Sequence, residues 1–125
     1  MKPKIRRLPD SELAVMQAVW QCIPPVSRAE LEEILFSQYP MAQTTLLTLL
    51  TRLAEKGFLS VEKQNRINYY IPTISQEAYL AEQSRRFLDQ LCGGSIPLFA
   101  SALCDSGLSQ EELAQLRKLL EEGKL

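Results

Sequence analysis

Apolar residues recur along this chain with two different periods, and the order in which the periods change predicts its architecture. In ELAVMQAVW, Leu13, Met16 and Trp20 stand at helical spacing, so a first amphipathic helix is expected there. Asp10 or Ser11 can cap it, and the IPPV cluster from Ile23 ends it. Ser27-Arg28-Ala29-Glu30 has the form of a capping box, with Val26 and Leu31 placed as its hydrophobic staple. The helix it opens carries Leu31, Ile34 and Leu35 on one stripe and should stop by Tyr39-Pro40. A third helix is expected from Ala42 or Gln43 to Lys56, with Gly57 placed for a left-handed cap. The period then shortens to two. Leu59 and Val61 alternate in FLSVEK, Gln64-Asn65 form a polar turn, and RINYYI reads as a second strand closed by Pro72.

Helical spacing returns after the hairpin. Ser75 caps a helix bearing Tyr79, Leu80, Phe87, Leu88 and Leu91, which Gly93-Gly94 ends. Ser95 and Pro97 open a short helix through Phe99 and Leu103, ended near Gly107. Ser109-Gln110-Glu111-Glu112 is a second capping box, and Leu113, Leu116, Leu119 and Leu120 line the helix behind it. Short helices with such stripes do not close a core by themselves, so the ten residues Tyr79, Leu80, Phe87, Leu88, Leu91, Phe99, Leu103, Leu113, Leu116 and Leu120 are expected at a two-fold dimer interface. The expected fold is mainly α with a small β-hairpin. A winged helix-turn-helix DNA-binding domain spans 1–73, and a C-terminal three-helix dimerisation arm spans 74–125.

Composition narrows the chemistry. The chain has 125 residues, 46% hydrophobic and 23% charged, which suits a globular domain and not a disordered one. Its apolar runs are too short to cross a bilayer, and MKPKIRRLPD has no apolar segment behind its basic start, so a soluble cytoplasmic protein is expected. The absence of histidine removes the commonest general base and imidazole metal ligand, and no other nucleophile or paired-carboxylate arrangement points to an enzyme. Cys22, Cys92 and Cys104 are widely spaced with no CxC or CxxC, so they read as small buried apolar residues; no metal or cofactor is expected. A redox- or metal-gated regulator using Cys92 and Cys104 is the alternative this leaves open.

The net charge of −1 hides an asymmetry. Residues 1–73 hold nine Lys and Arg against seven acids, a net of +2, and residues 74–125 hold five against eight, a net of −3. A basic front half suits an anionic partner.

The third helix, QTTLLTLLTRLAE, supplies the chemistry. On a helical wheel Leu46, Leu49, Leu50 and Leu53 share one arc, and Thr44, Thr45, Thr48, Thr51, Arg52 and Glu55 share the opposite one. Leu47 falls at the margin. Threonine is a mediocre helix former, but its hydroxyl both donates and accepts, and its methyl can meet a thymine methyl. In a winged helix this is the element that enters the major groove. Gln43, Thr44, Thr45 and Thr48 are therefore candidates for base edges. Arg52, Lys63 and Arg66 are candidates for phosphates, along with Ser27 at the start of the second helix and the four cations of the amino terminus. A winged-helix module that binds protein instead of DNA is the rival class.

Three stretches in order carry a resemblance. Asp10, Glu12, Val15, Met16 and Trp20 in the first helix, Thr48, Arg52, Leu53, Lys56, Gly57 and Leu59 around the end of the third, and Arg66, Tyr70 and Pro72 in the second wing strand resemble the penicillinase-repressor family. The resemblance implies a homodimeric winged-helix repressor of palindromic operators upstream of resistance genes and of its own operon, with dimerisation in the C-terminal helices. It also implies release by cutting in that half, triggered by a membrane sensor metalloprotease. By position the cut falls at Ser101-Ala102, where the family's Asn-Phe pair is replaced. Two further departures mark the third helix: Gln43 stands where a Pro often opens it, and Thr44 where some relatives carry a basic residue. The chain lacks the CxC-rich tail of the copper-responsive branch.

Overall fold

The computed structural model describes residues 5–122. Its elements are α1 (Asp10–Trp20), β1 (Val26–Ser27), α2 (Arg28–Gln38), α3 (Gln43–Glu55), β2 (Leu59–Gln64), β3 (Ile67–Pro72), α4 (Gln76–Arg86), α5 (Ile96–Asp105) and α6 (Gln110–Glu121). A π-helical turn, Phe87–Leu91, continues α4. The chain divides into two compact units between Gln83 and Ser84.

In the first unit, the leucine arc of α3 is the floor of the core. Leu46, Leu49, Leu50 and Leu53 are all buried and join Val15, Met16 and Val19 of α1 with Leu31 and Leu35 of α2. The end of α3 is fixed by Gly57 at φ +84°. Gly57 N–H donates to Ala54 at 3.1 Å and Phe58 N–H to Leu53 at 2.9 Å. This is a Schellman motif, and it turns the chain so that Phe58 is fully buried.

Several local expectations change. The wing is not a two-stranded hairpin but the larger part of a three-stranded antiparallel sheet in the order β1-β3-β2, with Val26 opposite Tyr70 and Ser27 opposite Tyr69. A third strand shields the inner edge of β3, which a bare hairpin would leave unpaired. The turn lies one residue later than Gln64-Asn65, because Gln64 pairs with Ile67. Its central residues are Asn65 at φ +51° and Arg66 at φ +67°, both left-handed as in a type I′ turn. Neither Asp10 nor Ser11 caps α1. Pro9 occupies that position without a side-chain bond, and Leu13 N–H reaches its carbonyl at 2.9 Å. Of the capping box at Ser27 only half forms: Ser27 Oγ accepts from Glu30 N–H at 3.2 Å, while the Glu30 carboxylate lies against the Cys22 thiol.

Tyr79 belongs to this unit. It is buried, with its ring centroid 5.8 Å from Trp20 and 5.9 Å from Phe58, and its hydroxyl accepts from Leu8 N–H at 3.0 Å. Trp20 Nε1–H donates to the Ile74 carbonyl at 3.0 Å. The start of α4 is thus core material here, and Tyr79 is not available to a dimer interface as its place in the stripe suggested.

The second unit is helical throughout. Ser95 Oγ caps α5 through Leu98 N–H at 3.2 Å. At α6 the reciprocal box is complete, with Glu112 N–H to Ser109 Oγ at 3.1 Å and Ser109 N–H to Glu112 Oε1 at 2.9 Å. Phe87 and Phe99 meet edge to face at 5.6 Å. Cys92 is the single buried residue among those described in this unit.

Candidate nucleic-acid interface

The face of α3 opposite its leucines is open. Gln43, Thr44, Thr45, Thr48, Thr51, Arg52 and Glu55 are all exposed. Two of the threonines also close a local bond. Thr48 Oγ1 donates to the Thr44 carbonyl and Thr51 Oγ1 to the Leu47 carbonyl, each at 3.0 Å. This back-bonding occupies the hydroxyl proton, so Thr48 presents acceptor lone pairs and a methyl outward. It is chemically suited to an amino donor or a thymine methyl in the major groove.

Beside α3, the start of α2 and the wing enclose a cleft of roughly 450 Å³ lined by Ser27, Arg28, Leu47, Arg66, Asn68 and Tyr69, among others. Leu47, at the margin of the helical wheel, is 37% exposed because it faces this cleft. Arg66 reaches it from the left-handed turn. Lys63 is exposed on β2 opposite Asn68. Ser27 also lines the cleft, with its hydroxyl already accepting from Glu30. Among the described residues Arg52, Lys63 and Arg66 hold no ion pair, and Arg52 does not pair with Glu55 one turn along α3. Arg6 and Arg7 are exposed; Lys2 and Lys4 lie outside the described residues.

Two arrangements had no sequence signal strong enough to single them out. Lys56 Nζ lies 2.7 Å from Glu12 Oε1, and Glu12 is only 3% exposed. This inward pair ties the end of α3 to the start of α1 and removes Lys56 from the free cations beside the open face of α3. The second concerns Gln43. With its amide oxygen turned toward Arg28, the orientation that satisfies both side chains, it accepts from Nη1 and Nη2 at 3.0 Å each. Arg28 Nε in turn lies 3.3 Å from Glu32 Oε1.

The cysteines divide by environment. Cys92 is buried, Cys22 is half-buried and Cys104 is exposed, against the expectation of three buried residues. Burial raises the Cys22 thiol above its ordinary value, and the Glu30 carboxylate adds to the rise. No three metal-ligating side chains converge among the described residues.

A family model described as penicillinase repressor matches residues 8–122. The chain belongs to the penicillinase-repressor family. These proteins are DNA-binding transcriptional repressors and not enzymes. The chain is 31% identical over 122 residues to the penicillinase repressor of Bacillus licheniformis, covering 97% of this chain and 94% of that protein. It is 29% identical over 121 residues to the methicillin resistance regulatory protein MecI of Staphylococcus aureus strain N315, covering 96% and 98%. Among solved structures it is similar to the monomeric form of B. licheniformis BlaI in complex with the blaP half-operator, with a TM-score of 0.51 and 32% identity over 61% of this chain and 92% of that one. A winged-helix repressor therefore underlies the resemblance of α1, α3 and the wing. No single helix among the described residues is long and apolar enough to cross a membrane.

Proposed function

We propose that this repressor binds palindromic operators as a homodimer in the cytoplasm and controls a resistance or stress operon together with its own. The winged-helix half contacts DNA, and the helices after it dimerise. The observation that carries the reading is the single exposed threonine–arginine face of α3 beside a cationic wing, on a body otherwise packed through leucine.

In this reading Thr45 and Thr48 meet base edges, with Thr44 flanking them. Arg52, Lys63 and Arg66 meet phosphates, and Ser27 helps present the start of α2. The dimer reading draws support from the second unit, where Leu91 is 72% and Leu120 59% exposed in the single chain. Release by a membrane sensor metalloprotease is the corresponding regulatory reading. Ser101 and Ala102 are both exposed but sit inside α5, so cutting there requires that helix to open locally. In the single chain no side chain of α5 is buried, so the opening is inexpensive wherever the partner does not cover that helix.

The test compares DNA upstream of the protein's own operon with random duplex across a salt series. Thr48→Ala should lose about 1–3 kcal/mol of discrimination between the two. Lys63→Ala should weaken both alike and lower the salt slope by about one. Equal loss on both duplexes for Thr48→Ala removes it from base readout, and salt-independent binding by the unaltered protein overturns the operator reading.

A further inference from the structure

Arg28 is a cleft cation that the interface described so far does not use. It opens α2 and lines the helix–wing cleft with Leu47 and Arg66. Its side chain is held from two directions. Nη1 and Nη2 each donate one N–H to the Gln43 oxygen, and Nε faces Glu32 one turn along α2. Glu32 Oε1 makes no directed hydrogen bond, so it holds Arg28 by charge. A guanidinium has five N–H groups. Two go to Gln43 and one faces Glu32, which leaves one on each terminal nitrogen. The Arg28 side chain remains 44% exposed, so it is not closed off from a ligand.

We propose that Arg28 is a backbone-phosphate contact in the helix–wing cleft, and that Gln43 is its positioning residue, supported by Glu32. The proposal rests on the operator-binding reading. A duplex whose major groove receives α3 must carry one strand past the gap between α3 and the wing. That gap therefore faces sugar and phosphate, not base edges. The two remaining N–H groups lie on different edges of the planar guanidinium, so Arg28 can give a charge-assisted hydrogen bond to one phosphate oxygen, and Arg66 brings a second cation to the same cleft. Holding a long side chain in place before DNA arrives removes part of the ordering cost of binding. Gln43 is also the first residue of α3, so the same contact fixes the start of that helix relative to the phosphate. Gln43 then acts through Arg28 and does not read a base.

Because a phosphate contact is blind to sequence, the probe can be a random-sequence duplex, titrated with the full chain by fluorescence anisotropy at several salt concentrations. Arg28→Ala should bind about three- to tenfold more weakly, with the slope of log affinity against log salt reduced by about 0.9. Arg28→Lys should keep the slope and recover part of the affinity. Gln43→Ala should lose about two- to fivefold with its slope intact, on random duplex and operator-containing DNA equally. Thermal melts establish that each variant is folded, and Arg28→Gln replaces the alanine variant if that one is not. Wild-type slope and affinity in Arg28→Ala would show that Arg28 only ties α2 to α3 and would overturn the proposal. So would a Gln43→Ala loss confined to operator DNA, which would make Gln43 a base reader. If the unaltered protein shows no salt-dependent binding, the operator reading fails instead, a result distinct from both.

Discussion

The two compact units differ in what their apolar side chains touch. In the first, Phe58, Met16, Leu31, Leu46, Leu50 and Leu53 are each less than 2% exposed, and helices, sheet and the first turns of α4 all contribute. In the second, the helices are equally well formed and better capped, yet Cys92 alone is buried among the described residues. Caps and periodicity are enough to specify helices, but they do not supply a core. The first unit has the side-chain closure of an independent domain. The second has apolar faces that a second copy of the chain is proposed to cover.

Truncation should give the largest effect and breaks the comparison most directly. A chain ending at Gln83 keeps Tyr79 and Ile74 with their partners, so it should remain folded and run as a monomer in sedimentation. With one half-site reader in place of two, its operator affinity should fall by about 10²–10⁴-fold. A chain ending at Thr73 should behave differently. It loses the Tyr79 ring against Trp20 and Phe58, and the Ile74 carbonyl that accepts from Trp20. Deleting a buried aromatic costs about 3–5 kcal/mol, a large share of the roughly 5–15 kcal/mol that holds a domain folded, so this chain should unfold at clearly lower urea. Equal stability of the two truncations would show that α4 adds nothing to the first unit. A dimer of the Gln83 chain would place dimerisation outside the arm.

The Glu12–Lys56 pair should come next. Lys56→Ala leaves a carboxylate 3% exposed without its partner, and the first unit should lose about 3 kcal/mol by urea denaturation. That is the low end for a broken buried pair, because the Lys56 side chain is still 23% exposed. The double variant Glu12→Gln, Lys56→Met should recover most of the loss, since it removes the stranded charge. If the single and double variants are equally unstable, packing of the lysine stem and not charge pairing holds α1 to α3.

The same contrast explains how much was legible beforehand. The arc of Leu46, Leu49, Leu50 and Leu53, the Gly57 cap and the Ser109–Glu112 box are written in short-range spacing, and each appears as the pattern predicts. What the pattern missed lies between residues far apart in sequence. Glu12 and Lys56 look like ordinary surface charges until the fold brings them to 2.7 Å. Tyr79 lies on the same helical stripe as Leu80 and Phe87, and its burial depends on Trp20 and Phe58 from two distant elements. The pairing of Val26 with Tyr70 is likewise invisible in a two-residue strand. At the candidate interface the threonine face was legible because it is periodic. The coupling of Gln43 to Arg28 was not, because it joins two helix starts across a loop.

The smallest expected change in the first unit comes from altering the second. Leu91 lies in the π-helical turn and is 72% exposed in the single chain. Leu91→Glu should therefore change the first unit's unfolding free energy in urea by no more than about 0.5 kcal/mol, as for other surface substitutions. In the proposed dimer, however, two new carboxylates would enter an apolar interface, where desolvation costs several kcal/mol per unpaired ion. Sedimentation should show monomer at concentrations where the unaltered chain is dimeric, and operator affinity should drop in step. Thr48→Ala should do the reverse, leaving assembly untouched while eroding sequence discrimination. If Leu91→Glu stays dimeric, the exposed leucine is ordinary surface, and the closure of the arm must be sought on the faces of α5 and α6.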